Sequence, residues 1–511
     1  MSFDAPFLYF YPMIRQFILS VIFLFTSIGL SSQQFDFNKG CNDAYQSIIS
    51  LRFEKGEAIL TKEKSANAEN LMPVVLENYI DFFKIFIAED EQQFRQLERN
   101  KDKRLTIIRE HACEEPMYLW SQATINLQWA FARMKFGEYY TAAFELRRAF
   151  LQLEENEKKY PDFLPNKLLL GLLHALVGSI PEDYQWIVRL ASMNGSVNQG
   201  IDEMKHVLTE CEKHDEYKYL KEEALFFLGF AELNLLAEPD NTLMLLNNLN
   251  SSDTSNLLLV FLKATIEMRT GNNDAALKTL SERPNELNYY PFYYLNYLEA
   301  ETRLRKLDLN AKSLYTNFIL SFKGLNYRQD AIRKLAWIAL LEGDSLNYQE
   351  WISQVPKQTS GQVEADKQSV LEAGGKNKPN PDLLKSRLLF DGGYYSDALN
   401  VLNLAESLRN HSDPIVRLEY YYRKGRIFHE LKKYDEAVLN YMKVIDSGMN
   451  SKLYYAANSA LKIGEIYEVT NQKKKAVEYY NLCLSLKPDE YRSGIHQKAK
   501  AGINRLSVDT D

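Results

Sequence analysis

The segment RKGRIFHELKKYDEAVLNYMKVI, Arg423 to Ile445, decides the fold. Gly425 and Phe428 share one helix face, Tyr434 closes a turn, and Ala437, Tyr441 and Val444 recur at three- and four-residue spacing on a second helix. Two antiparallel helices need small residues where their backbones come closest. Gly425 and Ala437 supply them, and Phe428 and Tyr441 fill the space beside them. One unit onward the pattern returns as Gly464, Tyr467, Ala476 and Tyr480, with Pro488 ending the second helix. One unit back it is weaker, as Ser386, Leu389, Ala398 and Leu402. Ala398, Ala437 and Ala476 lie 39 residues apart, and each is preceded by a small residue twelve positions earlier. The segment from Ser493, SGIHQKAKAGINRL, reads as a capping helix with a more polar outer face, as repeat arrays require.

The small residue, aromatic, alanine, aromatic and terminal proline together resemble the tetratricopeptide repeat. Its usual period is about 34 residues, so each unit here carries extra residues, and DSGMNS, Asp446 to Ser451, is the place expected for them. The resemblance implies an all-α fold: a right-handed superhelix of antiparallel helix hairpins whose first helices line a concave groove.

The rest of the chain reads as a more divergent version of the same design. TINLQWAFARMKFGEYYTAAFELRRAFLQLEE sets Trp129, Arg133 and Phe136 before Gly137, and Tyr139, Ala142, Leu146 and Ala149 after it. From Pro165 to Leu208, Gly178 ends a helix, Ser179 caps the next and Pro181 fits its first turn. Asn194-Gly195 is a break, and Gly200 allows close helix packing. Gly171, Leu172, Gly178, Ser179, Pro181, Gly195 and Gly200 resemble the region characteristic of the tetratricopeptide repeat protein 39 family, over residues 110–350. That resemblance implies fold and a binding role rather than a reaction. Further hairpins are expected up to Val355. PKQTSGQVEADKQSVLEAGGKNKPNPD, Pro356 to Asp382, combines Gly374-Gly375, Pro379 and Pro381 with few apolar residues and reads as a linker with a short helix at 365–372. The expected organisation is a leader at 1–32, a divergent helical array at 33–355, a linker at 356–381 and a C-terminal array with its cap at 382–511.

From Met13 the leader reads MIRQFILSVIFLFTSIGLSSQQ. Arg15 gives a positive start, Phe17 to Leu30 an apolar run, and Gly29, Ser31 and Ser32 small residues near a cleavage point. The run is short for a spanning helix, which needs about 20 residues. The expectation is a secretory signal peptide starting at Met13 and a periplasmic or cell-envelope location, with an uncleaved anchor as the alternative. A net charge of -7 argues against a nucleic-acid-binding surface, which must be basic. Four scattered cysteines do not make a disulfide scaffold.

No phosphate loop, His-Glu-x-x-His pair, nucleophile elbow or Cys-x-x-Cys occurs in the sequence. His206, Glu210, Cys211 and His214 are the nearest thing to a metal-ligand spacing, and solvated helix-end residues are the simpler reading. His174 lies in an apolar helix and reads as a helix-contact residue. No catalytic residue, cofactor or metal is therefore expected. The expected function is a non-enzymatic scaffold that binds a protein or peptide in its groove, with neither a nucleic acid nor a small-molecule substrate as partner. A membrane-associated complex fits the exported location. The alternatives are a helical-repeat enzyme acting on cell-wall material and a solenoid serving homo-oligomer assembly. The groove is expected to be lined by Tyr422, Arg426 and His429 from one repeat and by Asn458, Glu465 and Glu468 from the next, with Arg426 gripping a carboxylate through its planar fork.

Overall fold

The computed structural model describes residues 34–180, 192–236, 239–246, 255–285, 287–358, 361–375 and 378–508. The leader and the stretch holding Pro181, Tyr184, Trp186 and Ile187 lie outside them. Regular structure among the described residues is entirely helical. They fall into two compact units: the first within Met1–Lys84, Gln93–Lys221 and Leu287–Tyr290, the second within Ile85–Gln92, Glu222–Glu286 and Pro291–Asp511.

The first unit is built from α1 (Lys39–Ile49), α2 (Phe53–Ala66), most of α3 (Met72–Ala88) and α4 (Glu91–Glu110), and then α5 (Pro116–Lys135), α6 (Tyr139–Lys159), α7 (Leu164–Gly178) and α8 (Val197–Cys211). In the α5–α6 hairpin, Ala123, Ala130, Ala142 and Ala149 are completely buried, so the two helices close on small residues. The α7–α8 pair goes further. A Cβ on Gly200 would stand 2.2 Å from the Gly171 carbonyl oxygen, and one on Gly195 would stand 2.6 Å from the His174 Cα. The glycines noted between 171 and 200 are therefore places where one helix backbone rests on another. His174 sits at this contact, 7% exposed, with Nδ1 2.6 Å from the Glu203 carboxylate.

The second unit continues with α9 (Lys221–Ala231), α10 (Pro239–Leu245), α11 (Leu257–Arg269), α12 (Asn273–Ser281), α13 (Tyr294–Arg305), α14 (Ala311–Ser321), α15 (Arg328–Leu341) and α16 (Ser345–Ser353). It closes with α17 (Glu364–Gly374), α18 (Pro381–Asp391), α19 (Tyr395–Leu404), α20 (Pro414–Glu430), α21 (Tyr434–Gly448), α22 (Tyr455–Val469), α23 (Lys473–Ser485) and α24 (Arg492–Val508).

Here the repeat signature has a physical meaning. Ala398, Ala437 and Ala476 are wholly buried. The rings of Tyr441 and Tyr480 lie flat over Gly425 and Gly464, whose Cβ atoms would come within 2.7 and 2.5 Å of them. Burying each such ring contributes about 1.5–3 kcal/mol. Ser386 takes the same position in the first of the three hairpins and donates its hydroxyl to the Ala398 carbonyl at 3.1 Å. The α20–α21 and α22–α23 turns close through Lys432 and Asn471 in left-handed geometry, again 39 residues apart. α24 covers the last hairpin, with Gly502 against the outer edge of the Tyr480 ring.

The stretch 356–381 is not free of contacts. Its helix α17 starts one residue earlier and ends two residues later than the 365–372 expected. Asp366 on that helix is completely buried and accepts the backbone N–H groups of Tyr327 at 2.7 Å and Asp330 at 2.9 Å. It thus satisfies the otherwise unpaired donors at the start of α15. Glu372 accepts the indole N–H of Trp337 at 2.8 Å. These contacts tie the polar stretch into the second unit.

Candidate partner-binding face

The first helices of the three C-terminal hairpins, α18, α20 and α22, present corresponding positions at the 39-residue spacing: 387, 426 and 465, and likewise 390, 429 and 468. What stands there is Arg387, Arg426 and Glu465 in one row, and Phe390, His429 and Glu468 in the other.

Arg426 is 29% exposed at its side chain. Its guanidinium lies over the Phe390 ring at 4.0 Å and reaches the Asp391 carboxylate only at 4.0 Å. Arg387 stands 3.8 Å from the same carboxylate. Burial works against ionising Asp391, yet the cations of Arg426 and Arg387, with Arg305 and Arg423 further off, hold its carboxyl below the usual range. Arg423, by contrast, is buried and engaged by Glu419 through its Nε at 2.8 Å. Arg387 and Arg426 are therefore the cations of this row with guanidinium surface left for another molecule.

The other expected residues divide sharply. Tyr422 is not a surface residue: its ring is 2% exposed and packs among Tyr441, Tyr454 and Tyr455. Its hydroxyl accepts the Asn458 amide at 2.6 Å, so Asn458 is committed to it. Glu465 pairs with Lys462 at 2.7 Å. Glu468 is taken up within the last hairpin, receiving the Tyr480 hydroxyl and two bonds from Arg505 at 2.9 Å each. His429 packs edge-on to Tyr434 and Tyr441, and burial, aided by the Lys462 charge and opposed by Glu465, pushes its pKa down to about 4. Arg426, His429 and Glu465 therefore share a part-exposed face, whereas Tyr422 and Glu468 hold the hairpins together.

Arg387, Asp391 and Lys462 belong to this face and were missed among the sequence candidates. Arg387 was within reach, because it stands one repeat before Arg426. Tyr454 and Tyr491, with ring centroids 5.1 Å apart, extend the aromatic lining toward the start of α24. Elsewhere, Cys211 is buried, Glu210 pairs with Lys213 at 2.8 Å, and no cluster of three or more metal-ligating side chains occurs among the described residues. No helix among the described residues is long and apolar enough to cross a membrane.

Comparison with known proteins follows this geometry. Residues 418–447 and 457–490 match the family described as "Tetratricopeptide repeat". No curated protein matches the chain. Among solved structures, the crystal structure of yeast Tom70 aligns over 92% of this chain and 96% of its own at 11% identity and a TM-score of 0.25, too distant to carry an argument. With the helix hairpins at those positions, the matches make residues 418–490 a pair of tetratricopeptide repeats.

Proposed function

We propose that this chain is a non-enzymatic scaffold that receives a protein or peptide partner on the face formed by α18, α20 and α22. The observation that carries the reading is the pair of part-exposed guanidiniums, Arg387 and Arg426, standing one repeat apart on the first helices of successive hairpins. Stacked hairpins turn such a face into the lining of an extended groove. Arginines beside aromatic rings recur at the energetic centres of protein interfaces. The test is affinity capture of the intact protein and of the Arg387→Ala/Arg426→Ala variant. Loss of a captured partner with an unchanged melting curve is expected, and full retention would move the site elsewhere.

Two further parts of the reading rest on sequence alone. The chain is exported and its leader is cut near Ser31 to Gln34, since a positive start, an apolar run and small residues follow in that order. N-terminal sequencing reads this directly, and a mature protein starting at Met13 overturns it. The resemblance of residues 110–350 to the tetratricopeptide repeat protein 39 family adds a binding role for the first array.

A further inference from the structure

The three C-terminal hairpins carry the same pair of positions in three chemical states. In the first, Phe390 and Leu402 are apolar. In the third, Glu468 accepts the hydroxyl of the buried Tyr480, and Arg505 clamps the carboxylate. In the middle hairpin the pair is His429 and Tyr441. Tyr441 is completely buried, yet its hydroxyl has no hydrogen-bond partner, and neither does His429 Nδ1. Burying such groups unpaired costs about 1–3 kcal/mol each, so a native structure that keeps two of them side by side calls for an explanation. The ring centroids are 6.3 Å apart. Burial raises the Tyr441 pKa far above its ordinary value, with Arg426 close enough to oppose it. The hydroxyl therefore stays protonated and is a donor in search of an acceptor.

The third hairpin shows which acceptor the tyrosine of this framework takes: a carboxylate backed by an arginine. The middle hairpin has the tyrosine and an arginine, Arg426, but the carboxylate position is held by histidine. We propose that Tyr441, His429 and Arg426 form a subsite for one carboxylate group of the partner. That group stands in for Glu468, accepting from the Tyr441 hydroxyl and the His429 Nδ1–H while Arg426 supplies the charge. The inference rests on the partner-binding reading of this face and adds the chemistry of one contact point. Nearby anions do not close the subsite. Glu465 is held by Lys462, and Asp391 is shared between Arg387 and Arg426. The carboxylate can come from an acidic side chain within the partner or from a chain terminus.

The experiment uses the intact protein and three fluorescent peptide pools with identical randomised flanks. One pool is amidated with a central glutamate, one is amidated with a central glutamine, and one has a central glutamine and a free C-terminus. Either carboxylate pool should bind at least tenfold more tightly than the amidated glutamine pool, and whichever does so identifies the source. Tyr441→Phe removes only the unpartnered hydroxyl and should erase that preference. His429→Glu supplies the carboxylate from within, so it should erase the preference while melting at or above the wild-type temperature. A preference that survives Tyr441→Phe, or equal binding of all pools, overturns the subsite. If equal binding is still lost in Arg387→Ala/Arg426→Ala, the partner-binding face stands without it. If no pool binds, the subsite falls and the capture experiment alone decides the broader reading.

Discussion

The second unit holds two regions built on opposite principles. Residues 418–508 are joined by small residues against aromatic rings: Gly425 under Tyr441, and Tyr480 between Gly464 and Gly502. Residues 326–374 are joined by buried charge. Asp330, 1% exposed, accepts the Tyr297 hydroxyl at 2.5 Å and pairs with Arg333, with Lys334 at 3.9 Å. Arg333 and Lys334 lie over the Trp337 ring at 4.8 and 4.4 Å, and Asp366 caps α15 from the neighbouring helix. Shape complementarity is non-directional and insensitive to pH. A buried ionic network is directional, depends on every member, and titrates.

The comparison can be broken most severely at Asp330. Asp330→Ala leaves Arg333 and Lys334 buried with their remaining partners more distant or already shared: Glu372 at 3.7 Å and Glu301 at 3.0 Å. Removing one member of such a network costs about 3–5 kcal/mol. Chemical denaturation should show this loss, and a loss below about 1 kcal/mol would mean that the network is decorative.

A pH series sharpens the contrast further. Burial pushes the Asp366 carboxyl up to about 6, against the pull of its backbone donors. An unfolded aspartate titrates near about 3.9. The folded state therefore holds the proton more tightly, and Asp366 contributes stability that is complete below about pH 4. That contribution is lost as pH rises through about 6. The difference between wild type and Asp366→Asn should change by roughly 2–3 kcal/mol across that window. A flat difference profile would show that the two N–H donors cancel the effect of burial.

The smallest effect belongs to the ring-packed region. Gly464→Ala places a methyl 2.5 Å from a ring that Gly502 confines on its other edge. Overpacking should cost about 1–3 kcal/mol, offset by about 1 kcal/mol of helix propensity. The net loss of about 1–2 kcal/mol should be the same at pH 4 and pH 7, measured by thermal melting. A pH-dependent loss would tie this region to the ionic network.

These contrasts also explain what could be read in advance. The hairpins at 382–508 were legible because both members of each contact lie twelve to sixteen residues apart and recur at a fixed spacing, as Gly425 with Ala437 and Tyr441 do. The same spacing led to Arg426 and would have led to Arg387. It failed at Tyr422, whose burial depends on Tyr454 and Tyr455 from the next hairpin, and at Glu468, which Arg505 engages from 37 residues away. Positional reasoning places a side chain on a helix face, but not what the neighbouring helix brings to it.

The sequence by itself determined the helical class, the hairpin unit, its period and the capping helix, because apolar periodicity and small-residue spacing are local properties of a chain. Only the tertiary structure decided the role of the polar stretch 356–381. Asp366 and Glu372 read there as solvated linker residues. They become buried contacts because a helix terminus that began 38 residues earlier exposes N–H groups that need an acceptor, and because Trp337 needs one too. Tertiary contacts likewise separated Glu468 from His429. The two positions are equivalent in sequence, but one meets an arginine from the capping helix and the other meets Lys462 and Glu465, which are paired to each other. A hydrogen bond needs two partners at about 3 Å, and the second partner is chosen by the fold.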